Sequence, residues 1–503
     1  MSTDKTNIAS RVTRYGKVSG TMAGLAAKLA GEKYFGLKIE RDEHAQALMQ
    51  ALGNLKGPLM KVGQILATIP EALPPEYARA LQELQSNAPS MGWPFVRRRM
   101  KTELGQNWPN NFKAFEKEAA AAASLGQVHK AIITKNQFPQ AFQPQTETER
   151  EPNPARTGSA SIQQRTCEPE AQPDLDRSPF IEGDEMLVAC KLQYPDMQSA
   201  IDADLNQLRI IFRIYGQYDK SIKTDHIYTE LSERLREELD YTREAKNTKL
   251  YAYMLRDEGH VHVPQIIDDL STPRLLTSTW LDGDKILTFK DAPQDTRNTI
   301  AMNLFRAWYV PLYYYGIIHG DPHLGNYTIR KDLSVNLLDF GCIRIFPAPF
   351  VGAVIDLYNA LKHKDEALAV HAYETWGFKD LSREQIDTLN IWAEFLYGPL
   401  LEDKTRPIGH AKGAVYGRDT AEKVHNKLRE LAKDNGGIAV PREFVFMDRA
   451  ALGLGSVFIH LNAEINWYRV FNELIENFDA NAMNMRQKEA LNRFGLAQDS
   501  TNP

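Results

Sequence analysis

The sequence has few of the features that mark membrane, secreted or nucleic-acid-binding proteins. Three cysteines in 503 residues are too few for a disulfide framework and lack zinc-site spacing, which favours a reducing compartment. No apolar run reaches the about 18 residues of a transmembrane segment, and the N-terminus lacks a signal peptide's apolar core. The net charge of −5 gives no overall attraction to nucleic acid. We expect a cytoplasmic protein that is at most peripheral to the inner membrane, with Cys190 and Cys342 as small core residues.

The N-terminal part is predicted to be helical. Residues from about Asn7 to Phe35 form a basic amphipathic pattern that fits either peripheral contact with anionic lipid or packing on the protein, and both interpretations stay open. Strong helical patterns follow from about Asp42 to Leu104, broken by prolines. We therefore expect a helical subdomain ahead of the rest of the chain.

From about Phe112 the pattern changes to short strands. Two of them, Gln127 to Thr134 and Met186 to Gln193, flank a segment rich in Pro, Gln, Glu, Ser and Thr. Such a segment, Gln137 to Asp184, buries too little apolar surface to offset its ordering entropy. It is predicted to be a disordered insertion between adjacent strands. A long charged helix is predicted from about Thr224 to Arg256, and a buried helix from Ala450 to Leu461.

The strongest chemical signal is the run His319–Asn326, H-G-D-P-H-L-G-N, followed by D-F-G at Asp339–Gly341. Asn326 lies five positions after Asp321, the interval of the kinase catalytic loop. Phosphoryl transfer needs a carboxylate beside the attacking group and oxygen ligands for metal ions. Asp321 is therefore the candidate catalytic residue, and Asn326 and Asp339 are the candidate Mg²⁺ ligands for bound ATP.

Lys191 ends a V-A-C-K run that resembles the strand-borne V-A-I-K lysine of kinases, which binds phosphate oxygens and pairs with a helical glutamate. It is both a catalytic and a nucleotide-binding candidate. Four acidic residues of the next predicted helix compete as its partner, and spacing alone does not choose among them: Glu237, Glu238, Asp240 and Glu244.

The glycine-rich phosphate loop of kinases is missing. The matching run has alanine at the first two glycine positions and keeps Gly126 and Val128. Considered alone, an alanine run would predict a helix. The nucleotide-binding candidates here and at the end of the strand near Leu275 are Ala121, Ala122, Ala123, Ser124, Gly126, Val128 and Thr279.

Together these motifs resemble the UbiB-like, or AarF-type (ABC1), family of atypical kinases. The further family marks are K-x-G-Q at Lys61–Gln64, an alanine-rich loop and E-x-D at Glu238–Asp240. The resemblance implies that Glu244 pairs with Lys191. It also implies that Lys61 and Gln64 reach towards Glu238 and Asp240 as regulatory, inhibitory residues that block peptide phosphorylation.

The predicted acceptor is small or lipid-like. No A-P-E follows the D-F-G, and a helix is predicted to begin near Phe350, so the peptide-docking segment of protein kinases is missing. The resemblance implies ATP and Mg²⁺ as cofactors and a role in ubiquinone biosynthesis. Candidate partners are a lipid or quinone-precursor ligand and quinone-biosynthesis enzymes, with no nucleic acid.

Two other functions remain as alternatives. One is a small-molecule phosphotransferase of the aminoglycoside or choline kinase type, which also uses H-G-D-x-x-x-x-N. The other is a catalytically weak, ATP-sensing, lipid-binding scaffold, which the alanine loop favours.

The predicted fold class is α+β, a bilobal protein kinase-like fold with a small β-rich N-lobe, a helical C-lobe and an N-terminal helical extension. The predicted domains are the extension with K-x-G-Q (1–110), the N-lobe with its insertion (111–280), the C-lobe (281–480) and a flexible tail (481–503).

Overall fold

The computed structural model describes residues 91–122, 125–142, 180–195, 235–408 and 441–497, and a few positions between 197 and 233. The described residues fall into two compact units. As far as they are described, the first contains residues 91–106, 116–129 and 191–239, and the second contains residues 107–115, 130–190 and 240–497. The N-terminal helix predicted from Asn7 to Phe35 lies outside the described residues.

Most of the described strands precede α4 and most of the chain after it is helical, which fits the predicted α+β fold class. The helices are α1 (Trp93–Leu104), α2 (Tyr241–Met254), α3 (Gln294–Tyr315), α4 (Ala348–His363), α5 (Glu366–Thr375), α6 (Arg383–Tyr397), α7 (Arg442–Leu461), α8 (Trp467–Ile475) and α9 (Ala480–Arg493). The strands are β1 (Ala114–Phe115), β2 (Ala121–Ala122), β3 (Gly126–Thr134), β4 (Phe180–Glu182), β5 (Glu185–Gln193), β6 (Val261–His262), β7 (Leu275–Thr279), β8 (Asp284–Lys285), β9 (Ile317–His319), β10 (Tyr327–Ile329), β11 (Val335–Leu337), β12 (Ile343–Ile345), β13 (Arg406–Pro407) and β14 (Glu464–Ile465).

The first sheet has the strand order β1-β3-β5-β4, with β2 on β3 and β7 on β5. Side chains of β5 alternate between buried and half-buried positions, and Val188 and Cys190 are fully buried. That alternation is the period-2 pattern of a strand with one face on the core. The strand β4 pairs antiparallel with β5, so residues 180–182, within the predicted insertion, form part of the sheet.

The main core of the second unit surrounds α3. Trp308 and Leu304 of this helix are buried to within 1% exposure. The helix ends at Gly316, whose φ of +64° lies in the left-handed region that favours glycine. A Cβ there would also lie 2.7 Å from the carbonyl oxygen of Phe346, so no side chain fits at this turn. None of the described helices has the length and apolar character needed to cross a membrane.

The predicted long helix from Thr224 to Arg256 is wrong as one element. A turn at Glu238–Leu239 separates the described helical residues before it from α2. Asp240 is the N-cap of α2, because its carboxylate accepts a hydrogen bond of 3.0 Å from the backbone N–H of Arg243. Aspartate at an N-cap satisfies one of the orphan amides that a helix start leaves.

The predicted flexible tail from 481 to 503 is wrong up to Arg493, where α9 ends. Met483 and Ala490 are fully buried in the core. Gln487 is also buried and donates to the carbonyl oxygens of Tyr315 (2.8 Å) and Phe346 (2.9 Å). The helix therefore helps to hold the two chain segments that border β9 and β12.

The two cysteines that we expected in the core differ in their burial. Cys190 is fully buried as predicted, and burial raises the pKa of its thiol to about 12. Cys342 is only half-buried, because it directly follows the D-F-G segment at the edge of the core. The helix predicted from Ala450 to Leu461 is confirmed as the second half of α7, with Ala450 and Leu454 buried.

Candidate active site

Two antiparallel strand pairs of the second unit bring the catalytic segments together. The strands β9 and β12 pair antiparallel with His319 opposite Ile343, so the H-G-D and D-F-G segments leave the same end of one ladder. The N–H of Gly320 donates to the carbonyl of Cys342 at 2.7 Å. In the second pair, β10 and β11 form a hairpin, and the N–H of Leu338 donates to the carbonyl of Asn326 at 3.0 Å. Asn326 and Asp339 therefore lie at adjacent ends of neighbouring strands.

His319 forms hydrogen bonds with the main chains of both Asp321 and Asp339, and so links the two segments that carry the candidate carboxylates. Its Nδ1 accepts from the backbone N–H of Asp321 at 3.2 Å, so Nδ1 carries no proton. Its Nε2 then donates to the backbone carbonyl of Asp339, since a carbonyl only accepts. The ring is 2% exposed. It sets the spacing of the Asp321 and Asp339 main chains without using either carboxylate.

Aromatic rings enclose this histidine. Tyr251 of α2 lies 5.1 Å from Phe340 and 6.1 Å from His319, measured between ring centroids. Trp308 of α3 lies 5.6 Å from His319. Such packing excludes water from the base of the site and strengthens its hydrogen bonds. Burial, reinforced by the charge of Asp321, raises the pKa of the neighbouring Tyr327 well above its usual value.

The amide of Asn326 is also oriented. Its Nδ2 donates to the backbone carbonyl of Asp321 at 3.1 Å, which closes the catalytic loop on itself. With Nδ2 engaged, the side-chain oxygen is the group that can serve a metal ion. Asp339 is held similarly, because its Oδ1 accepts the N–H of Gly341 at 3.0 Å.

The helix α2 places two buried polar residues, Glu244 and Asn247, beside the D-F-G segment. Glu244, 4% exposed, places its Oε2 3.8 Å from where a Cβ on Gly341 would be. Asn247, one turn further along, donates to the carbonyl of Phe340 at 2.9 Å. Glu244, Asn247 and Tyr251 follow i, i+3, i+7 spacing, so they share one face of the helix. That spacing is the sequence signal that could have identified Asn247 and Tyr251, which the sequence analysis missed.

We predict that Asn247→Asp destabilises the protein. The substitution keeps the side-chain shape but faces the buried Phe340 carbonyl with a second acceptor, which should cost about 1–3 kcal/mol. The midpoint of urea denaturation should fall. Asn107→Asp, which makes the same charge change at an exposed position, is the control and should change little. Equal midpoints for the two variants would contradict the proposed anchoring of the D-F-G.

The alanine-rich loop belongs to the first unit. Ala121 pairs with Val128 and Ala122 with Gln127, so the run forms an antiparallel hairpin. The helix that an isolated alanine run would predict is absent from the described residues 116–122. Gly126 begins β3, while Ala123 and Ser124 lie outside the described residues.

Buried polar side chains support the base of this hairpin. His129 donates from Nδ1 to the carbonyl of Glu116 at 2.9 Å, and its Nε2 accepts from Gln127 at 2.7 Å. Burial lowers the pKa of His129, which favours this neutral form. Gln127 in turn accepts the N–H of Met91 at 2.6 Å. The sequence analysis did not single out this pair.

The other predicted site residues lie in several different elements of the fold. Lys191 is half-buried in the first unit, while Glu244 belongs to the second, so their pairing remains a prediction. Thr279 is 5% exposed, and its hydroxyl oxygen accepts the N–H of Gln265 at 2.9 Å. Asp240 caps α2 and is exposed, and Glu238 lies in the preceding turn. Lys61 and Gln64 lie outside the described residues.

A mixed fold whose H-G-D-x-x-x-x-N and D-F-G segments meet on two antiparallel strand pairs defines a protein kinase-like protein. The solved structure of Rv3197 from Mycobacterium tuberculosis, described as a complex with erythromycin, matches it with a TM-score of 0.54. That match has 24% identity and covers 86% of this chain and 96% of the other, which confirms the kinase-like fold. The family profile of the ABC1 atypical kinase-like domain matches residues 83–138 and 181–373. The chain belongs to the ABC1 family of atypical kinases, the UbiB-like group, as its motifs predicted.

The curated relatives are longer proteins. The mitochondrial atypical kinase COQ8 of Saccharomyces cerevisiae is 26% identical over 355 residues, which cover 69% of this chain and 61% of the yeast protein. The mitochondrial coq-8 of Caenorhabditis elegans is 22% identical over 93% of this chain and 57% of its own length. The chloroplastic protein ACTIVITY OF BC1 COMPLEX KINASE 7 of Arabidopsis thaliana is 28% identical over 65% of this chain and 41% of its length. The chain thus spans about half the length of these relatives.

Proposed function

We propose that the protein binds Mg-ATP where the H-G-D and D-F-G segments meet, and transfers the γ-phosphoryl group to water or to a small or lipid-like acceptor. The observation that carries this proposal is the joint placement of Asp321, Asn326 and Asp339 by one hydrogen-bond network centred on His319. In phosphoryl transfer there is little covalent chemistry for the protein to do, so such positioning is most of the catalysis.

The donor set fits Mg²⁺ that arrives with a nucleotide. The described residues contain no group of three His, Cys, Asp or Glu side chains that could hold a metal by themselves. Mg²⁺ is typically bound by one or two carboxylates together with substrate phosphates and water. Asp339 and the side-chain oxygen of Asn326 provide that partial set. Bound Mg²⁺ would neutralise charge on the phosphate oxygens.

Asp321 would orient the attacking hydroxyl or water through its carboxylate. Its main chain is held by His319 and Asn326, which fixes the position of the residue that carries this carboxylate. Lys191 would bind phosphate oxygens and pair with Glu244, and the alanine hairpin with Thr279 would contact the nucleotide.

The acceptor proposed is small or lipid-like, in support of ubiquinone biosynthesis. Only Phe346 and Pro347 separate β12 from α4, which leaves no room for a peptide-docking segment after the D-F-G. The relatives named COQ8 support the isoprenoid quinone context. Lys61 and Gln64, with Glu238 and Asp240, would restrict access of peptides. Peripheral membrane contact through the N-terminal helix and contact with quinone-biosynthesis enzymes belong to the same proposal.

An ATP-sensing scaffold is the second candidate. It is favoured by the two exposed alanines of β2, which stand where kinases use glycine for close backbone approach to phosphates. Phosphate release from Mg-ATP by the purified protein separates the two functions, since a scaffold binds nucleotide without turnover.

Ala121→Gly is expected to change both the affinity for ATP and its turnover. Glycine restores conformational freedom at the first position of the hairpin that would cover the phosphates. The control is Ala114→Gly, which makes the same substitution in the two-residue strand β1. Nucleotide titration and steady-state kinetics should separate these variants. Identical values for Ala121→Gly and the wild type would show that the hairpin is not over the phosphates.

A further inference from the structure

The helix α7 touches the catalytic loop at a glycine. A Cβ built on Gly453 would lie 2.7 Å from Cβ of Pro322 and closer still to its Cγ. Carbon atoms in contact are normally about 3.5–4.0 Å apart. Gly453 has a hydrogen where other residues have a Cβ, and this allows α7 and the catalytic loop to approach so closely.

The loop has little freedom to move away from an added methyl group. Pro322 is a rigid ring whose backbone φ is fixed, so it does not swing aside as a long side chain would. It directly follows Asp321, whose N–H is bound to His319 and whose carbonyl is bound to Asn326. A displacement of the proline ring is therefore passed to the main chain that carries the catalytic carboxylate.

We infer that Gly453 is a positioning residue for the catalytic loop, and that α7 sets the location of Asp321 through Pro322. The inference rests on the proposed function for its effect on turnover, and on contacts alone for its effect on the loop. A methyl group at position 453 would displace Asp321 by a distance on the order of 1 Å, and a shift of that size can cost about 100-fold in rate.

The same helix offers a matched control. Gly455 lies two positions further along α7, and a Cβ built there meets nothing within 4 Å. Alanine at either position raises the intrinsic helix propensity equally. The two variants therefore differ only in the contact with Pro322.

The test compares Gly453→Ala with Gly455→Ala in phosphate release and in ATP binding. For Gly453→Ala we expect kcat to fall by about 10- to 100-fold, with a smaller loss of affinity for Mg-ATP, because the metal carboxylate of Asp339 lies in the other segment. Gly455→Ala should match the wild type. Equal kcat values for the two alanine variants would overturn the inference.

A double-mutant cycle isolates the contact. Pro322→Gly removes the whole ring, so Gly453→Ala should have no further effect in that background. The double variant should then match Pro322→Gly alone. A loss of kcat that persists in the double variant would show that residue 453 acts elsewhere.

Hydrogen exchange separates this inference from the proposed function. The amides of Asp321 and Gly325 are bound to the rings of His319 and His323, and Gly453→Ala should speed exchange in a peptide spanning residues 319–326. Gly455→Ala should leave the exchange of this peptide unchanged. If the wild type releases no phosphate, the proposed function fails while this readout still decides the positional claim. Unchanged exchange, or an increase spread over the whole second unit, would contradict it.

Discussion

Asp339→Asn is expected to abolish Mg²⁺-dependent binding of ATP while leaving the fold intact. The side chain supplies the only carboxylate of the proposed two-residue metal set, and asparagine replaces its charge with a weaker neutral ligand. Loss of an outer-shell partner alone costs roughly 10–100-fold in metal affinity, so loss of a direct ligand should cost at least about 100-fold. The fold should survive, because the Gly341 N–H can still donate to an amide oxygen and His319 binds the backbone carbonyl.

Calorimetric titration of ATP with and without Mg²⁺ measures this effect. Asp284→Asn, an exposed aspartate in β8 of the same unit, is the control and should bind Mg-ATP as the wild type does. An unchanged affinity of Asp339→Asn for Mg-ATP would remove Asp339 from the metal site.

Asp321→Asn is expected to lower kcat by about 10²- to 10⁴-fold, the range that a positioned general acid or base contributes. Binding of Mg-ATP should change little, because Asp321 is assigned to the nucleophile and Asn326 and Asp339 to the metal. The hydrogen bonds from Asp321 to His319 and Asn326 use its main chain, so the substitution leaves them in place.

Steady-state phosphate release and nucleotide titration on the same preparation distinguish these two effects. Asp332→Asn is not a suitable control, because its carboxylate accepts from Ser334 and shapes the turn between β10 and β11. Asp284→Asn again serves. Full turnover by Asp321→Asn would exclude its carboxylate from the reaction, and a parallel loss of binding would reassign it to the metal.

The sequence was sufficient to predict that the two motif segments of the candidate site lie together. Asp321 and Asn326 share one loop, and the β10–β11 hairpin separates Asn326 from Asp339, so the two motifs and their spacing predicted that the three residues lie together. The strands β3 and β5 were predicted as short β-like runs, and the structure shows both as strands. A sequence pattern over a few residues predicts a helix, strand or loop whose structure depends mainly on those residues.

Two predictions were wrong although the sequence held a signal for the correct structure: the flexible C-terminal tail and the unbroken helix from Thr224 to Arg256. The polar stretch from Ala480 to Arg493 suggested a tail, although Met483, Gln487, Ala490 and Leu491 have helical spacing and are buried. The break before α2 was missed because the surrounding residues are good helix formers. Asp240, a favoured N-cap residue, was the available signal for that break.

Contacts between distant parts of the chain were beyond sequence reasoning. Gly453 follows Pro322 by 131 positions, and nothing in its neighbourhood distinguishes it from Gly455. Only the tertiary packing of α7 against the catalytic loop separates the two glycines. The identity of the acceptor is a similar case, because it depends on surfaces rather than on the phosphoryl-transfer motifs.

Phosphate release from Mg-ATP by the purified wild-type protein tests the central claim most directly. It should be measured alone, with anionic liposomes, and with liposomes carrying a phenolic quinone-precursor analogue. We predict Mg²⁺-dependent turnover that rises with the loaded liposomes. Nucleotide binding without phosphate release under any of these conditions would contradict phosphoryl transfer and favour the ATP-sensing scaffold.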